Sequence, residues 1–593
     1  LAQYQRWQQC HLAIKPRVKT PHTMFNTALS SPGPAVASAY EFTRAGGYTL
    51  PSYPFTEPPE IKTGQAGRYP VVVVGGGLAG LTMACALAQL GVDTVVLEAG
   101  NSVGVQGAAS RAMCYSQKSL EIFQRLGIFE RVAAKGVQWR MGRTFSGQDE
   151  VYSFDQRLQN SANLSDQPAF INIQQFYVAG YLVERLASLE QVQLRWQSRV
   201  VAYEPGDGFA SLTVQTPAGN YPLQAEHVID ATGSHSPFHA WCQAKMAVLG
   251  QEECWAMADV RFTVPQPLER HTWIEAPFNE QRAAWQHPMA DEVWRFDWQL
   301  APGTQPDDTR HEEQARARLT RQFGSHVELD ILWAGVYAYR SQCLEQLREG
   351  RVFFIGDAAK IVTHYASRGA STSIADANNL AWKLAAVLNQ QAPASLLDSF
   401  HLERHEAALQ NIRISQRTAR FLSPGSNAER LLRQAVISLA KPYAFARQLT
   451  NTGRMAIATS YHHSPICDAS GGQSVQNVRF SWADGSVGVV NDLLLWADGN
   501  LLILVFGDLS AAACQRLRQI TSHAPARGIQ VLGAHGRPQA VEHVRDPHGH
   551  LQGACRVFGH AWALVRPDGY LAATGEAVDA ALVESIEQSL SLK

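Results

Sequence analysis

The chain has 593 residues, more than one compact domain usually holds, so a large core with an appendage is expected. Its 51 basic and 52 acidic residues leave a formal net charge of -1, and the basic residues are scattered, which argues against nucleic acid or an anionic membrane as a partner. Nine cysteines without a Cys-x-x-Cys pair argue against a disulfide framework or a zinc site. No apolar run approaches the roughly twenty residues of a membrane helix, so a cytoplasmic protein without a metal is expected.

Residues 1–68 are rich in Pro, Ser, Thr and Gly, lack the continuous apolar core of a signal peptide, and read as an N-terminal arm disordered over about its first third. The chain opens on Leu1, and Met24 is a candidate natural start. Val71 to Val74 then suit a buried parallel strand, while Gly75 and Gly77 allow a tight turn and close approach to a pyrophosphate. Leu78 and Ala79 complete that turn, and Gly80 lets the next helix pack close to the sheet. The helix is expected from Leu81 to Leu90, closed by Gly91, with its unpaired amides and positive dipole end aimed at the phosphate. Val95 to Leu97 form a second strand, and Glu98, about twenty residues past the glycines, suits ribose hydroxyls. A carboxylate there disfavours a 2′-phosphate, which points to the adenosine half of NAD or FAD.

Alternating segments at Leu194–Gln197, Ser211–Gln215 and Val293–Leu300 read as an antiparallel sheet. Trp273, Trp294, Trp298 and Trp333 are candidate pocket walls, although an aromatic at strand spacing more often packs a sheet. A second chemical signal follows at Arg351–Ala359, an apolar strand that ends in Gly356-Asp357 and runs into a small-residue helix start. Arg368-Gly369-Ala370-Ser371 and Asp376-Ala377-Asn378-Asn379-Leu380 come next. Beyond 451, Leu501–Phe506, a helix-like run, Gln530–Leu532 and Ala563–Ala572 read as a small α/β unit. Its lone Cys514 and Cys555 carry no paired-thiol motif.

Together with Ser110-Arg111-Ala112, Ser119 to Gly127 and Ile173 to Glu184, this order of motifs resembles the single-component FAD-dependent aromatic hydroxylases. The resemblance implies the fold of para-hydroxybenzoate hydroxylase, the reference member, and the branch it looks most like is that of the 3-(3-hydroxyphenyl)propionate hydroxylases and phenol monooxygenases. The resemblance implies an α/β architecture: a Rossmann-like FAD-binding domain over 69–450 interleaved with an antiparallel-sheet substrate domain, about 135–225 and 245–345. A thioredoxin-like domain over 451–593, supporting a homodimer, would complete it. It also implies that Arg111 and Gln175 contact FAD, Glu98 its adenosine ribose, and Gly356 and Asp357 its ribityl side, with Gly369, Ala370 and Ser371 against the flavin pyrimidine edge. In such enzymes NADH or NADPH reduces the flavin, O2 adds at flavin C4a, and the hydroperoxide hydroxylates a phenolic or aromatic acid. A flavin-dependent oxidase or dehydrogenase, and a non-catalytic protein that binds FAD or an aromatic ligand, are the other readings on this fold.

Three positions depart from the family pattern. The usual Asp-Gly motif is Ala231-Thr232-Gly233, with Thr232 in place of the carboxylate. The histidine usual after Gly-Asp-Ala-Ala is Lys360, and the proline beside the reactive flavin face is His364. Lys360 and His364 are therefore the candidate catalytic residues, as titratable groups beside the flavin.

Overall fold

The four valines form the buried end of the strand Gly67–Val74, at the centre of a nucleotide sheet. The strand pairs in parallel with Thr94–Leu97 on one side and Gly219–Asp230 on the other. Val192–Arg195 and Val352–Phe354 extend the sheet in parallel, and Ala210–Thr216 and Arg199–Glu204 continue it antiparallel. Parallel pairing needs crossover helices, so the valines are covered on both faces. The computed structural model describes residues 41–45, 47–104, 113–155, 164–304, 311–365, 368–447, 449–450, 457–539 and 542–592. Arg111 and the first forty residues of the expected arm lie outside them.

Two elements differ from the sequence reading. The helix after the glycine turn runs over Leu78–Gln89, three residues earlier than expected, with Gly80 in its first turn. A Cβ on Gly80 would sit 2.0 Å from the carbonyl oxygen of Gly75, so the helix lies as close to the turn as a bare backbone permits. The segments around Leu194 and Ser211 join the nucleotide sheet rather than the antiparallel one. Alternation reports one half-buried face but does not say which sheet a strand enters.

A second, eight-stranded sheet, termed the roof sheet, joins this domain through Lys360–Ile361, just after the Gly-Asp loop. Its strands lie in the order Lys360–Ile361, Leu329–Leu344, Met246–Phe262, Val293–Gln299, Arg282–Pro288, Glu269–Ala276, Met141–Ser146 and Asp149–Asp155. The pairing is antiparallel except between Glu269–Ala276 and Met141–Ser146. The register sets Met257, Asp297, Trp285 and Thr272 in one row across four strands, and Asp259, Arg295 and His287 in a second row on the same face. The alternate residues Ala256, Ala258, Val260, Trp294, Phe296 and Trp298 form the opposite face, sealed by Ala315 and Leu319 of the helix His311–Phe323. Trp273 packs with that sealed cluster, whereas Trp333 packs on the other face with Trp255 and Trp285.

Part of the expected arm is built into the core. The Tyr48 hydroxyl donates to Asp259 at 2.8 Å, and buried Glu60 pairs with Arg195 at 3.0 Å. At the other end, a seven-stranded sheet places Leu501–Phe506 parallel to Ala526–Leu532, joined by the helix Ala511–His523, with the hairpin Trp562–Val565 and Leu571–Gly575 alongside. Buried Arg566 and Lys383 both reach Glu403 of the helix Asp398–Leu422, tying this sheet to the rest. Burial opposes ionisation of Glu403, but the two cations hold its carboxyl well below the usual range. Among the described residues every cysteine is free, no acidic, His or Cys group could hold a metal, and no helix is long and apolar enough to cross a membrane.

Candidate functional site

The glycine turn is shaped by contacts that only glycine permits. Gly75 takes φ 109, and a Cβ there would meet the Ala231 carbonyl oxygen at 2.4 Å. Gly77, the N-cap of the helix, has no side-chain cap, and no atom lies within 4 Å of where its Cβ would be. The first amides of the helix therefore open onto free space, the arrangement that receives a phosphate. Glu98 accepts hydrogen bonds from Gly76 N at 2.6 Å and Gly100 N at 2.7 Å, which pins its carboxylate beside the turn.

The Gly-Asp loop meets the same surface. Gly356 takes φ 62, and a Cβ there would lie 3.0 Å from the Ala79 Cβ. Gly75, Gly77, Leu78, Ala79, Gly80, Glu98, Gly356 and half-buried Asp357 are thus neighbours, although three separate stretches supply them. Gly369, Ala370 and Ser371 open the helix Arg368–Leu388, and Ser371 accepts from the Ser116 hydroxyl at 3.1 Å. Gln175 is the first residue of the helix Gln175–Leu186.

Thr232 has a defined partner. Its backbone N and its hydroxyl donate to Asp230 at 3.0 and 2.6 Å, and Ser236 donates to the other carboxylate oxygen. A carboxylate is therefore present two residues upstream of its usual place. It is fully buried, its pKa is raised by burial against those three hydrogen bonds, and it holds the turn that presses on Gly75.

Lys360 and His364 stand in different surroundings. Lys360 is fully buried and ion-paired with Asp376, which also accepts from Gly356 N at 2.9 Å and from Arg404 at 2.7 Å. One carboxylate thus ties the Gly-Asp loop to two helices. His364 lies among Trp255, Trp285, Tyr339 and Tyr365, with ring centroids 4.4 to 5.0 Å away. Part of its ring is exposed, but both nitrogens are enclosed and unpartnered among the described residues. Burial lowers its pKa to about 3, so the imidazole is neutral at physiological pH.

Sequence reasoning passed over the charged residues of the same face. Asp297 is 1% exposed, and neither carboxylate oxygen has a hydrogen-bond partner among the described residues. The nearest polar atom recorded is His287 Nε2 at 3.6 Å. Burial pushes the Asp297 carboxyl up to about 7; Arg295 and Arg270 oppose the rise and Asp259 adds to it. The signal was available in Val293–Gln299, where Arg295 and Asp297 alternate with Trp294, Phe296 and Trp298. The indole nitrogen of Trp285, the cross-strand neighbour of Asp297, and Thr363 Oγ1, next to His364 in the chain, are also buried and unpartnered among the described residues. Leaving such groups dry and unpaired is costly, and a polar ligand is one way to complete them.

Residues 68–415 match the family described as the FAD binding domain. The chain belongs to that family. A 3-(3-hydroxy-phenyl)propionate/3-hydroxycinnamic acid hydroxylase of Burkholderia cenocepacia (strain HI2424) is 24% identical over 557 residues, 90% of this chain and 98% of its own. The protein of the same name from Mycolicibacterium vanbaalenii is 28% identical over 378 residues, 62% of this chain and 63% of its own. The flavin-dependent monooxygenase PieE, solved with FAD and substrate, superimposes with a TM-score of 0.72 at 19% identity, over 89% of this chain and 99% of its own. Aklavinone-11 hydroxylase, solved with FAD and aklavinone, gives 0.70 at 19% identity, over 89% and 100%. The mixed α/β fold is therefore that of the FAD-dependent hydroxylases, and the resemblance read from the motifs is borne out. The residues present fit FAD: the helix after Gly77 starts without a side-chain cap, as a pyrophosphate needs, and the Glu98 carboxylate is held beside the turn.

Proposed function

We propose that this protein is an FAD-dependent monooxygenase that hydroxylates a phenolic or other small aromatic substrate, with NADH or NADPH as reductant and O2 as the oxygen source. The observation that carries this is the convergence of the glycine turn and the Gly-Asp loop, with an aromatic cluster around His364 and unpartnered buried polar groups a few residues further along the chain. Bound FAD supplies the electron transfer from nicotinamide and the activation of O2; the chain supplies position, a dry chamber and proton control. Glu98 would hold the adenosine ribose, the amides after Gly77 the pyrophosphate, Asp357 the ribityl hydroxyls, and Gln175, Gly369, Ala370 and Ser371 the flavin side, with Arg111 as a further contact.

Within this reading the two candidate catalytic residues take different parts. Buried in its pair with Asp376, Lys360 acts as a positioning residue that holds the Gly-Asp loop. His364 acts as a neutral hydrogen-bonding group against the aromatic wall, because burial removes its charge. The bonds from Thr232 to Asp230 favour a retained turn over a degenerate one, which supports the enzyme over the non-catalytic binder. The parallel strand pair with its hairpin supports a thioredoxin-like C-terminal domain, which we read as structural and as a support for a homodimer. Free cysteines accord with a cytoplasmic protein.

The test is anaerobic reduction of the FAD-loaded protein by NADH and by NADPH, with and without a panel of phenols and phenolic acids, followed by turnover under labelled O2. Flavin bleaching accelerated by one phenol, with one labelled oxygen atom in the product, is the expected result. Substrate oxidation without label would make the protein an oxidase or dehydrogenase, and FAD that neither nucleotide reduces would end the reading.

A further inference from the structure

On the face of the roof sheet that carries Trp255 and Trp285, Asp297 is a fully buried carboxylate with both oxygens unpartnered among the described residues. Its cross-strand neighbour Trp285 touches His364, so Asp297 stands one residue away from the aromatic cluster around His364. His287, two residues along the strand from Trp285, offers Nε2 at 3.6 Å. That nitrogen and the Trp285 indole nitrogen are also unpartnered. An acceptor pair and a neutral imidazole thus stand 3.6 Å apart with their hydrogen bonds unmade, beside a strand neighbour whose indole nitrogen is also unpartnered.

We propose that Asp297, backed by His287, receives the hydroxyl of a phenolic substrate and takes its proton. The inference rests on the hydroxylase reading and names the residue that prepares the ring. The hydroxyl O–H bond breaks, the proton moves to an Asp297 carboxylate oxygen, and the electron pair stays on the ring oxygen. The anion so formed raises electron density at the ring positions ortho and para to it, where an electrophilic oxygen adds. The proton is held on the neutral carboxyl until product formation returns it to the ring oxygen.

The surrounding groups suit this role. Arg270 reaches the pair from the strand Glu269–Ala276, and Arg295 and Asp259 flank it, the latter already bonded to the Tyr48 hydroxyl and to Arg295. His287 is held neutral by burial and by Arg270, Arg295 and His364, so it backs the carboxyl as a hydrogen-bonding group without adding charge. Burial that sets the Asp297 carboxyl near neutrality matches it to a phenol proton better than an ordinary carboxylate would.

The test uses FAD-loaded wild type, Asp297→Asn and His287→Gln with 4-nitrophenol, whose ionised form is visible, and with 3-(3-hydroxyphenyl)propionate, read by its ultraviolet difference spectrum. Ionisation of the bound phenol and turnover are followed from about pH 5 to about pH 9. In wild type the bound phenol ionises at lower pH than in solution. Asp297→Asn moves that ionisation up by at least about one unit, lowers kcat about 10²- to 10³-fold, and removes the acid limb of its pH profile while FAD stays bound. His287→Gln gives the same changes about tenfold smaller, and decides the matter if Asp297→Asn does not fold. An unaltered pH profile and ionisation in whichever variant is measured would overturn the assignment and leave the hydroxylase reading standing. Failure of wild type to bind or hydroxylate any phenol tested would overturn both.

Discussion

The two faces of the roof sheet are built from the same strands and are equally buried, yet they differ in one respect. Against the helix His311–Phe323, Trp294, Phe296, Trp298 and the alanines facing them interlock; the unpartnered buried atoms there include the Trp298 indole nitrogen and, on the helix, His311 Nδ1 and Gln322 Oε1, none of them a carboxylate oxygen. On the other face Asp297, His287 and Trp285 are as deeply enclosed and leave several polar atoms unpaired. Burial alone does not separate a core from a site. What separates them is the kind of group left unpaired, because a dry unpaired carboxylate costs more than a dry indole or amide and so marks a place that something else completes.

The sharpest way to break this contrast is to damage each face in turn. Trp298→Ala removes a fully buried ring from the sealed face and should cost about 3–5 kcal/mol of stability, read as a lowered melting temperature. The FAD that remains bound should behave as in wild type. A Trp298→Ala protein that melts normally but has an altered substrate response would mean the sealed face is misassigned.

A comparable loss is expected where the Gly-Asp loop is anchored. Asp376→Asn leaves the buried Lys360 and Arg404 cations without their carboxylate, which should cost about 3–5 kcal/mol and loosen FAD through Gly356 N. Lys360→Met should cost less, since Asp376 keeps Arg404 and Gly356 N, and it should leave the pH profile of turnover unchanged. A shifted profile in Lys360→Met would restore Lys360 as a proton carrier.

Asp297 lets the contrast be read through pH. Its carboxyl is raised from the usual range to about 7 in the folded chain. Both states are protonated at acid pH, so nothing is lost there. As pH rises from about 4 to about 7 the unfolded chain ionises first, and stability falls by an amount on the order of a few kcal/mol, complete above about pH 7. Asp297→Asn does not titrate, so its melting temperature relative to wild type should be higher at about pH 8 than at about pH 5. Equal differences at the two pH values would show that the carboxyl is not raised by burial.

How much of this was legible beforehand follows from the kind of signal involved. The glycine turn and Gly356-Asp357 were readable because a backbone approach closed to any Cβ admits few residues, as the 2.0 Å contact at Gly80 illustrates. The roof strand Val293–Gln299 was readable as a strand, but the tryptophans drew attention when the informative parity was Arg295 and Asp297. Which face of an all-buried strand meets a ligand depends on what packs against it, here a helix beginning at His311, and alternation carries no record of that partner. Lys360 was read as a titratable newcomer; its partner Asp376 lay within a quoted motif, but only the third dimension joins them. Thr232 was read as the loss of a carboxylate, and Asp230, two residues earlier, supplies one in another role.

The smallest predicted effect probes the other end of the chamber. Glu98 meets the glycine turn with both carboxylate oxygens already accepting, from Gly76 N and Gly100 N, whereas Asp297 has no such bonds. On the proposed reading the nucleotide end is set before any ligand arrives, and the substrate end is completed by what it binds. Glu98→Gln keeps the shape but turns an NH2 group toward one of the two backbone N–H donors, so one bond is lost and a donor faces a donor. A charge-assisted bond of this kind contributes about 1.5–3 kcal/mol when intact, part of which the remaining bond and solvent recover. FAD affinity should therefore fall about tenfold, measured by the recovery of free flavin fluorescence on dilution, with only a small change in the melting temperature of the FAD-free protein. Unchanged FAD affinity in Glu98→Gln would mean the carboxylate serves the turn alone, and the contrast between a preset nucleotide end and an incomplete substrate end would lose one of its two poles.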